Sequence, residues 1–356
     1  MKKLFALLLA LAMVLSLAAC GAKEEAAAPA ATQGAAAAPA ATEAPAAPAA
    51  DPVTLRFAAS ESETSYYAQA LTPALERIEE RTEGRVICET YYSNALGSIN
   101  DTIEQIALGG NIVNSTSSSS WAAYGCDDMI AMDCMFAFAS TDEIAAFNES
   151  ELWADMVAEL ETNGNIHMIC MNWAAAPRVI MSNKAINSVA DLKGFLVRVP
   201  TNTYAAWFSA LGASPVSGIP FAEVYQNIES GVIEGAEAPF ATLRDYSVQE
   251  VAKYAYTSNH TYAASCFGLS TNVWNMISAE DQAIITEELT AGGVEYTKIC
   301  AEANDQVIAE MKAAGVTVVE PSAEDIATMQ AAAAQAAVDL GCRDGVMDEI
   351  KAASQG

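Results

Sequence analysis

The stretch Asp191-Leu192-Lys193-Gly194-Phe195-Leu196-Val197-Arg198-Val199-Pro200 sets one charged residue inside an apolar run. From Phe195 to Val199 the pattern is that of a strand buried on both faces, as in a parallel sheet covered by helices. An unpaired guanidinium in such a place is costly, so Arg198 must meet an anion. Either a carboxylate of the chain serves, with Glu237 and Glu223 as candidates, or the planar fork is held for a ligand carboxylate. A ligand could be gripped there through two parallel hydrogen bonds. Arg178 follows Trp173-Ala174-Ala175-Ala176-Pro177, precedes another apolar strand, and poses the same question more weakly.

Outward from this segment, strand and helix patterns alternate. Val53 to Ala59 predicts a strand, and from Tyr66 the residues Ala70, Leu71, Ala74, Leu75 and Ile78 fall at helical spacing. Gly84 suits the end of that helix. Arg85 to Tyr92 predicts a second strand, and about Asn100 to Leu108 a second helix, stopped by Gly109-Gly110. Further strands are expected at Ile166–Met171, Val179–Ser182 and Leu196–Val199. Helices are expected at Thr141–Asn148, Leu152–Glu161, Thr203–Leu211, Phe221–Ser230 and Ala279–Ala314, the last lightly interrupted at Gly292-Gly293. The run Ser115 to Ser120 reads either as a flexible surface loop or as a hydroxyl-rich binding loop. The order is that of an α/β protein. Roughly 300 residues exceed what one core comfortably serves, so two lobes are expected.

Composition narrows the function. The chain has 356 residues, with 17 Lys+Arg against 45 Asp+Glu, a net charge of −28. No basic run follows Lys2-Lys3, which excludes a nucleic-acid partner. Two histidines, His167 and His260, cannot build a multi-histidine metal centre, and no cofactor is indicated. The sequence contains no GxSxG, P-loop, HExxH or GxGxxG, so no enzyme is indicated either. His167 and Cys170, three apart, read as core. His260 reads as a hinge or inter-lobe residue.

The N-terminus gives an address. Met1-Lys2-Lys3 precedes an apolar run from Leu4 to Leu15, which suits a signal peptide and is short for a membrane span. Leu17-Ala18-Ala19-Cys20-Gly21 resembles a bacterial lipobox. The expectation is a signal peptide over residues 1–19, a lipidated Cys20, and an Ala/Pro-rich tether through residue 52. The other seven cysteines are odd in number and include no CxxC pair, so core packing is expected for them.

A family resemblance then emerges. Residues Ser182 to Pro200, Leu211-Gly212-Ala213-Ser214-Pro215-Val216, Phe221-Ala222-Glu223-Val224-Tyr225 and Gly231 to Pro239 resemble the DctP-type solute-binding proteins of TRAP transporters. Tyr92 to Gly97, Glu250 to Tyr254 and Asn259-His260 also fit. The resemblance implies a two-lobed periplasmic-binding-protein-like clamshell with long helices spanning both lobes. Lobe 1 would hold residues 53–175 and 264–303, and lobe 2 residues 176–263 and 304–356. It implies an extracytoplasmic receptor, lipid-anchored at the outer face of the cytoplasmic membrane, that passes a small organic acid to TRAP permease subunits.

By the same resemblance Arg198 pairs with the substrate carboxylate, Arg178 assists, and Phe221 forms a pocket wall. Ser60 and the loop carrying Ser117, Ser118 and Trp121 offer the first lobe's contacts. Trp173 and Trp207 are either core or pocket. Ala238 departs from the pattern, standing where many members have Asn. That loss keeps open a sensor or receptor domain for an uncharged or aromatic solute.

Overall fold

The computed structural model describes residues 51–355. The expected signal peptide, the expected lipidation site at Cys20 and most of the expected tether lie outside them. Among the described residues eleven strands form two sheets. The first is ordered β2 (Val86–Tyr91), β1 (Val53–Ala58), β3 (Ile112–Ser117), β10 (Ala264–Ser270), β4 (Ile166–Ala174). The second is ordered β11 (Thr317–Val319), β9 (Tyr254–Tyr256), β5 (Arg178–Ser182), β8 (Gly235–Pro239), β6 (Leu196–Arg198), β7 (Ser214–Val216). Parallel pairing joins β1 to β2 and β3, and β6 to β7 and β8. β10 runs antiparallel to β3 and β4, and β5 antiparallel to β8 and β9.

The predicted strands and helices are present with ends shifted by a few residues. Two readings are corrected. β3 runs through the start of the serine stretch: Asn114, Ser115 and Thr116 are buried in the middle of the first sheet, so this segment is not a surface loop. The helix Ala279–Ala313 is continuous, 35 residues and about 52 Å long. Its glycines mark close approach instead of a break. A Cβ at Gly292 would lie 2.7 Å from Trp173 Cζ2, and one at Gly293 2.6 Å from Asn172 Oδ1. Where the helix touches β4, Trp173 Nε1 donates to Leu289 O at 2.7 Å and Asn172 Nδ2 to Thr290 O at 2.8 Å.

This helix serves both sheets. Ile285 and Leu289 pack with Leu55, Phe57 and Trp173, whereas Val307 and Met311 pack with Val179, Ala236 and Leu243. Ser278 caps its start, accepting from Asp281 N at 3.1 Å. The connections between the sheets also touch. Ala175 N donates to Ala263 O and Arg178 N to Thr261 O, both at 3.0 Å, and Phe136 N donates to His260 O at 2.7 Å. A further crossing comes from the chain's end. The helix Ala323–Asp339 places Met329, Ala333 and Ala336 with Trp207 and Phe208, but Cys342, Val346 and Ile350 pack in the core of the first sheet. The residues around 342–350, assigned from sequence to the second lobe, thus lie against the first sheet. Six of the seven cysteines described are buried, five of them in the first sheet's two cores.

Candidate functional site

Ligands of open α/β sheets collect at the carboxyl ends of parallel strands, where the chain turns and backbone groups are free. Here those ends come from both sheets. Ser60 and Glu61 follow β1, and Ser118 to Ser120 follow β3. Arg198 ends β6, Phe221 follows β7, and Pro239 ends β8.

On the second sheet, side chains of β8 alternate. Ala236 and Ala238 point into the core with Val179 and Val224, so Glu237 takes the opposite face. There Arg178 Nε donates to Glu237 Oε2 at 2.6 Å and Nη2 to Oε1 at 2.7 Å. Glu237 is 0% exposed and the Arg178 side chain 16%. Burial alone would raise the Glu237 carboxyl; the Arg178 cation and His260 outweigh it and hold it below the ordinary carboxylate range. Burial opposes the Arg178 cation too, but Glu237 keeps it protonated. The Arg178 guanidinium also lies 5.1 Å from the centroid of Tyr204.

His260 completes this buried group. Its Nδ1 lies 2.8 Å from Ser258 Oγ, its Nε2 3.3 Å from Glu237 Oε2, and its ring stacks on Trp207 at 5.0 Å. Burial pushes its pKa down, so it is neutral near pH 7. Sequence reasoning placed His260 between the lobes, but gave no sign of its bond to Glu237.

Arg198 is different. Its Nε donates to Ile219 O at 3.0 Å and its guanidinium lies 5.1 Å from the Phe221 centroid. No carboxylate of the described residues lies in ion-pair range, and its terminal nitrogens make no hydrogen bond there. Burial, opposed by the field of Glu237, lowers its pKa. Its aromatic support and backbone anchor fix the fork and leave its outer edge without a partner among the described residues.

On the first sheet, Ser117 Oγ lies 3.2 Å from the hydroxyls of Ser119 and Ser120, and Ser119 donates to Asp133 Oδ2 at 2.6 Å. Burial raises the Asp133 carboxyl, and these serine hydroxyls and the Arg178 field oppose the rise. Asp133 sits at the seam, with Cys134 in the first sheet's core and Met135 in the second's. Ser60 is exposed at the rim.

Four expected contacts fall elsewhere. Trp121 is fully buried in the first core, packed against Gly268, and Trp173 is fully buried beneath the long helix. Ser118 is buried, with its carbonyl spent on Trp121 N. Large indoles at helix–sheet contacts fill space, which is why the tryptophans went to the core. Ala238 likewise presents its methyl to the second core. Sequence reasoning missed Tyr204, Asp133 and Glu61; nearness to the ends of β6 and β1 could have singled out Tyr204 and Glu61, whereas Asp133 lies far from any strand end in sequence.

Two α/β sheets, with residues that follow β1 of the first and residues at the end of β8 of the second lining one cavity, make a two-lobed α/β architecture with a candidate site between the lobes. The comparisons specify the kind. Residues 57–340 match the family model DctP, described as bacterial extracellular solute-binding protein, family 7, and the chain belongs to that family, the solute receptors of TRAP transporters. It is 28% identical over 292 residues to a solute-binding protein of Roseobacter denitrificans, covering 81% of this chain and 86% of the relative. It is 27% identical to the 2,3-diketo-L-gulonate-binding periplasmic protein of Escherichia coli, over 75% of this chain and 80% of that one. In fold it is similar to a TRAP periplasmic solute-binding protein from Escherichia fergusonii in an open, ligand-free crystal structure. There the TM-score is 0.77 at 20% identity, covering 84% of this chain and 99% of the other. No helix of the described residues is long and apolar enough to cross a membrane.

Proposed function

We propose that this chain captures a small organic acid between two lobes, one built on each sheet, and hands it to TRAP permease subunits without chemical change. Arg198 carries the reading. It is the cleft guanidinium with a free outer edge, half-buried, stacked on Phe221 and anchored at Ile219 O. A ligand carboxylate supplies the anion it lacks. Arg178 acts at one remove: locked to Glu237, it contributes field and shape. Phe221 forms the wall, and Ser60, Ser117 and Ser119 meet the ligand from the other side when the lobes close. The first lobe also takes in the chain's end from about residue 340. A relative that binds 2,3-diketo-L-gulonate fits the same chemistry.

The net charge of −28 does not prevent anion capture. Surface charges are screened over about 8 Å at physiological salt, whereas the Arg198 guanidinium acts at close range in a low-dielectric cleft. At the other end, Cys20 is lipidated and residues 21–52 tether the receptor to the outer face of the cytoplasmic membrane. Cys20→Ala should move the protein from the membrane fraction to the soluble one, and retention of that variant on membranes would refute the anchor.

A thermal-shift panel of mono- and dicarboxylates, sugar acids, keto acids, amino acids and neutral solutes tests the receptor reading. A ligand at one hundred times its Kd adds about 2.7 kcal/mol, enough to move the midpoint by a few degrees. Carboxylate hits are expected. A response to neutral solutes alone would favour a receptor or sensor for an uncharged solute.

A further inference from the structure

The cleft contains a cavity of about 480 Å³ between the residues that follow β1 and those that follow β8. Glu61 and Ser62 lie on one wall, Pro239 and Thr242 on another, and Tyr296 and Asn304 of the long helix on a third. The volume is that of a small-molecule site. Two oxygens here are shut off from solvent and have no hydrogen-bond partner, Glu61 Oε2 and Asn304 Oδ1. Both are acceptors, and one belongs to a carboxylate. Native structures rarely leave such atoms unpaired without a use for them.

No cation waits to satisfy them. Arg244, which also lines the cavity, is held by Asp245 at 2.7 Å and Glu310 at 3.2 Å. The first sheet's loops at this end, residues 59–65, 92–98 and 117–135, contain no Lys or Arg, but do contain Glu61, Glu63, Asp127, Asp128 and Asp133. A second anionic group on the ligand would meet Glu61 with nothing to balance it. Arg198 pairs with Ala236, three residues before Pro239, so along the backbone about 10 Å of strand lies between the position of Arg198 and the cavity wall. One small molecule can span that.

We propose that the ligand is a monocarboxylate bearing an ammonium group, with its carboxylate on Arg198 and its ammonium in the cavity beside Glu61 and Asn304, whose buried oxygens Oε2 and Oδ1 turn to accept from it when the lobes close. This rests on the reading of Arg198 as the carboxylate-binding residue. Burial pushes the Glu61 carboxyl up, and hydrogen bonds from Ser60 and the local backbone offset this only in part. A ligand cation restores the opposite charge that favours its ionised form. Hydroxyls can donate to both oxygens but bring no charge, so an amine is preferred.

The test is calorimetry on the whole chain with three matched series. These are the ω-amino acids from 3-aminopropanoate to 6-aminohexanoate, the ω-hydroxy acids and the α,ω-dicarboxylates of equal length, with the common α-amino acids alongside. The best amino acid should bind at least tenfold more tightly than its hydroxy and dicarboxylate counterparts. Glu61→Gln should bring the three within about threefold, and Asn304→Asp should widen the gap in the amine's favour. A hydroxy acid or dicarboxylate that binds as tightly, or a preference that survives Glu61→Gln, overturns the proposal. If that acid's binding is lost in Arg198→Ala, the receptor reading still stands. A panel in which no carboxylate binds, or in which binding ignores Arg198→Ala, overturns both.

Discussion

Glu237 grips Arg178 through two charge-assisted bonds, Nε to Oε2 at 2.6 Å and Nη2 to Oε1 at 2.7 Å, and is thereby spent as a partner for Arg198. Two arginines on strands either side of β8 thus have opposite roles. One is neutralised within the fold, and the other has no carboxylate in ion-pair range among the described residues.

Removing Glu237 leaves a buried guanidinium uncompensated. Glu237→Ala should therefore cost about 3–5 kcal/mol of stability, read as a shift in the urea midpoint. A loss under 1 kcal/mol would show that the pair is not a buried ion pair in solution.

The pH dependence has a worked sign. His260 is neutral in the fold with a depressed pKa, as is His167, which burial lowers against the pull of Glu161. Both bind protons more readily when unfolded, so stability should fall as pH drops below about 6.5, by at most about 1.4 kcal/mol per pH unit for each. Glu237, also depressed, acts lower. Its contribution is complete above the ordinary glutamate value near 4.3 and is lost as pH falls through its folded value. Denaturant melts between pH 4 and 8 should show the upper phase shrink in His260→Asn. An upper phase untouched by changing either histidine would contradict this assignment.

At Gly292 two rules oppose each other. Alanine is the better helix former by roughly 1 kcal/mol, yet its Cβ would meet Trp173 at 2.7 Å. Trp173 cannot retreat, being fully buried with Nε1 bonded to Leu289 O. Gly292→Ala should thus destabilise by about 1–3 kcal/mol, measured by urea unfolding. A stabilised variant would mean that the helix stands off from β4.

These residues also show where sequence reasoning reached and where it stopped. Helical spacing from Ala70 to Ile78 and the apolar run around Arg198 were legible because burial of one face or two leaves a periodic trace. The interior strand Ile112–Ser117 left less trace, since three of its five buried positions are Asn, Ser and Thr. Gly292-Gly293 read as a weak point because spacing carries no information about a tryptophan some 120 residues away. The choice of Glu237 by Arg178 depends on the β5–β8 register, which pairs Ile180 with Glu237. Nothing local to either residue specifies it.

The most direct measurement is a calorimetric titration of the strongest thermal-shift carboxylate into the wild-type chain and into Arg198→Ala. Loss of a buried ion-pair partner costs about 3–5 kcal/mol, so affinity should fall between about a hundredfold and several thousandfold. A loss of less than tenfold in a variant that folds normally would remove Arg198 from the binding site and contradict the account.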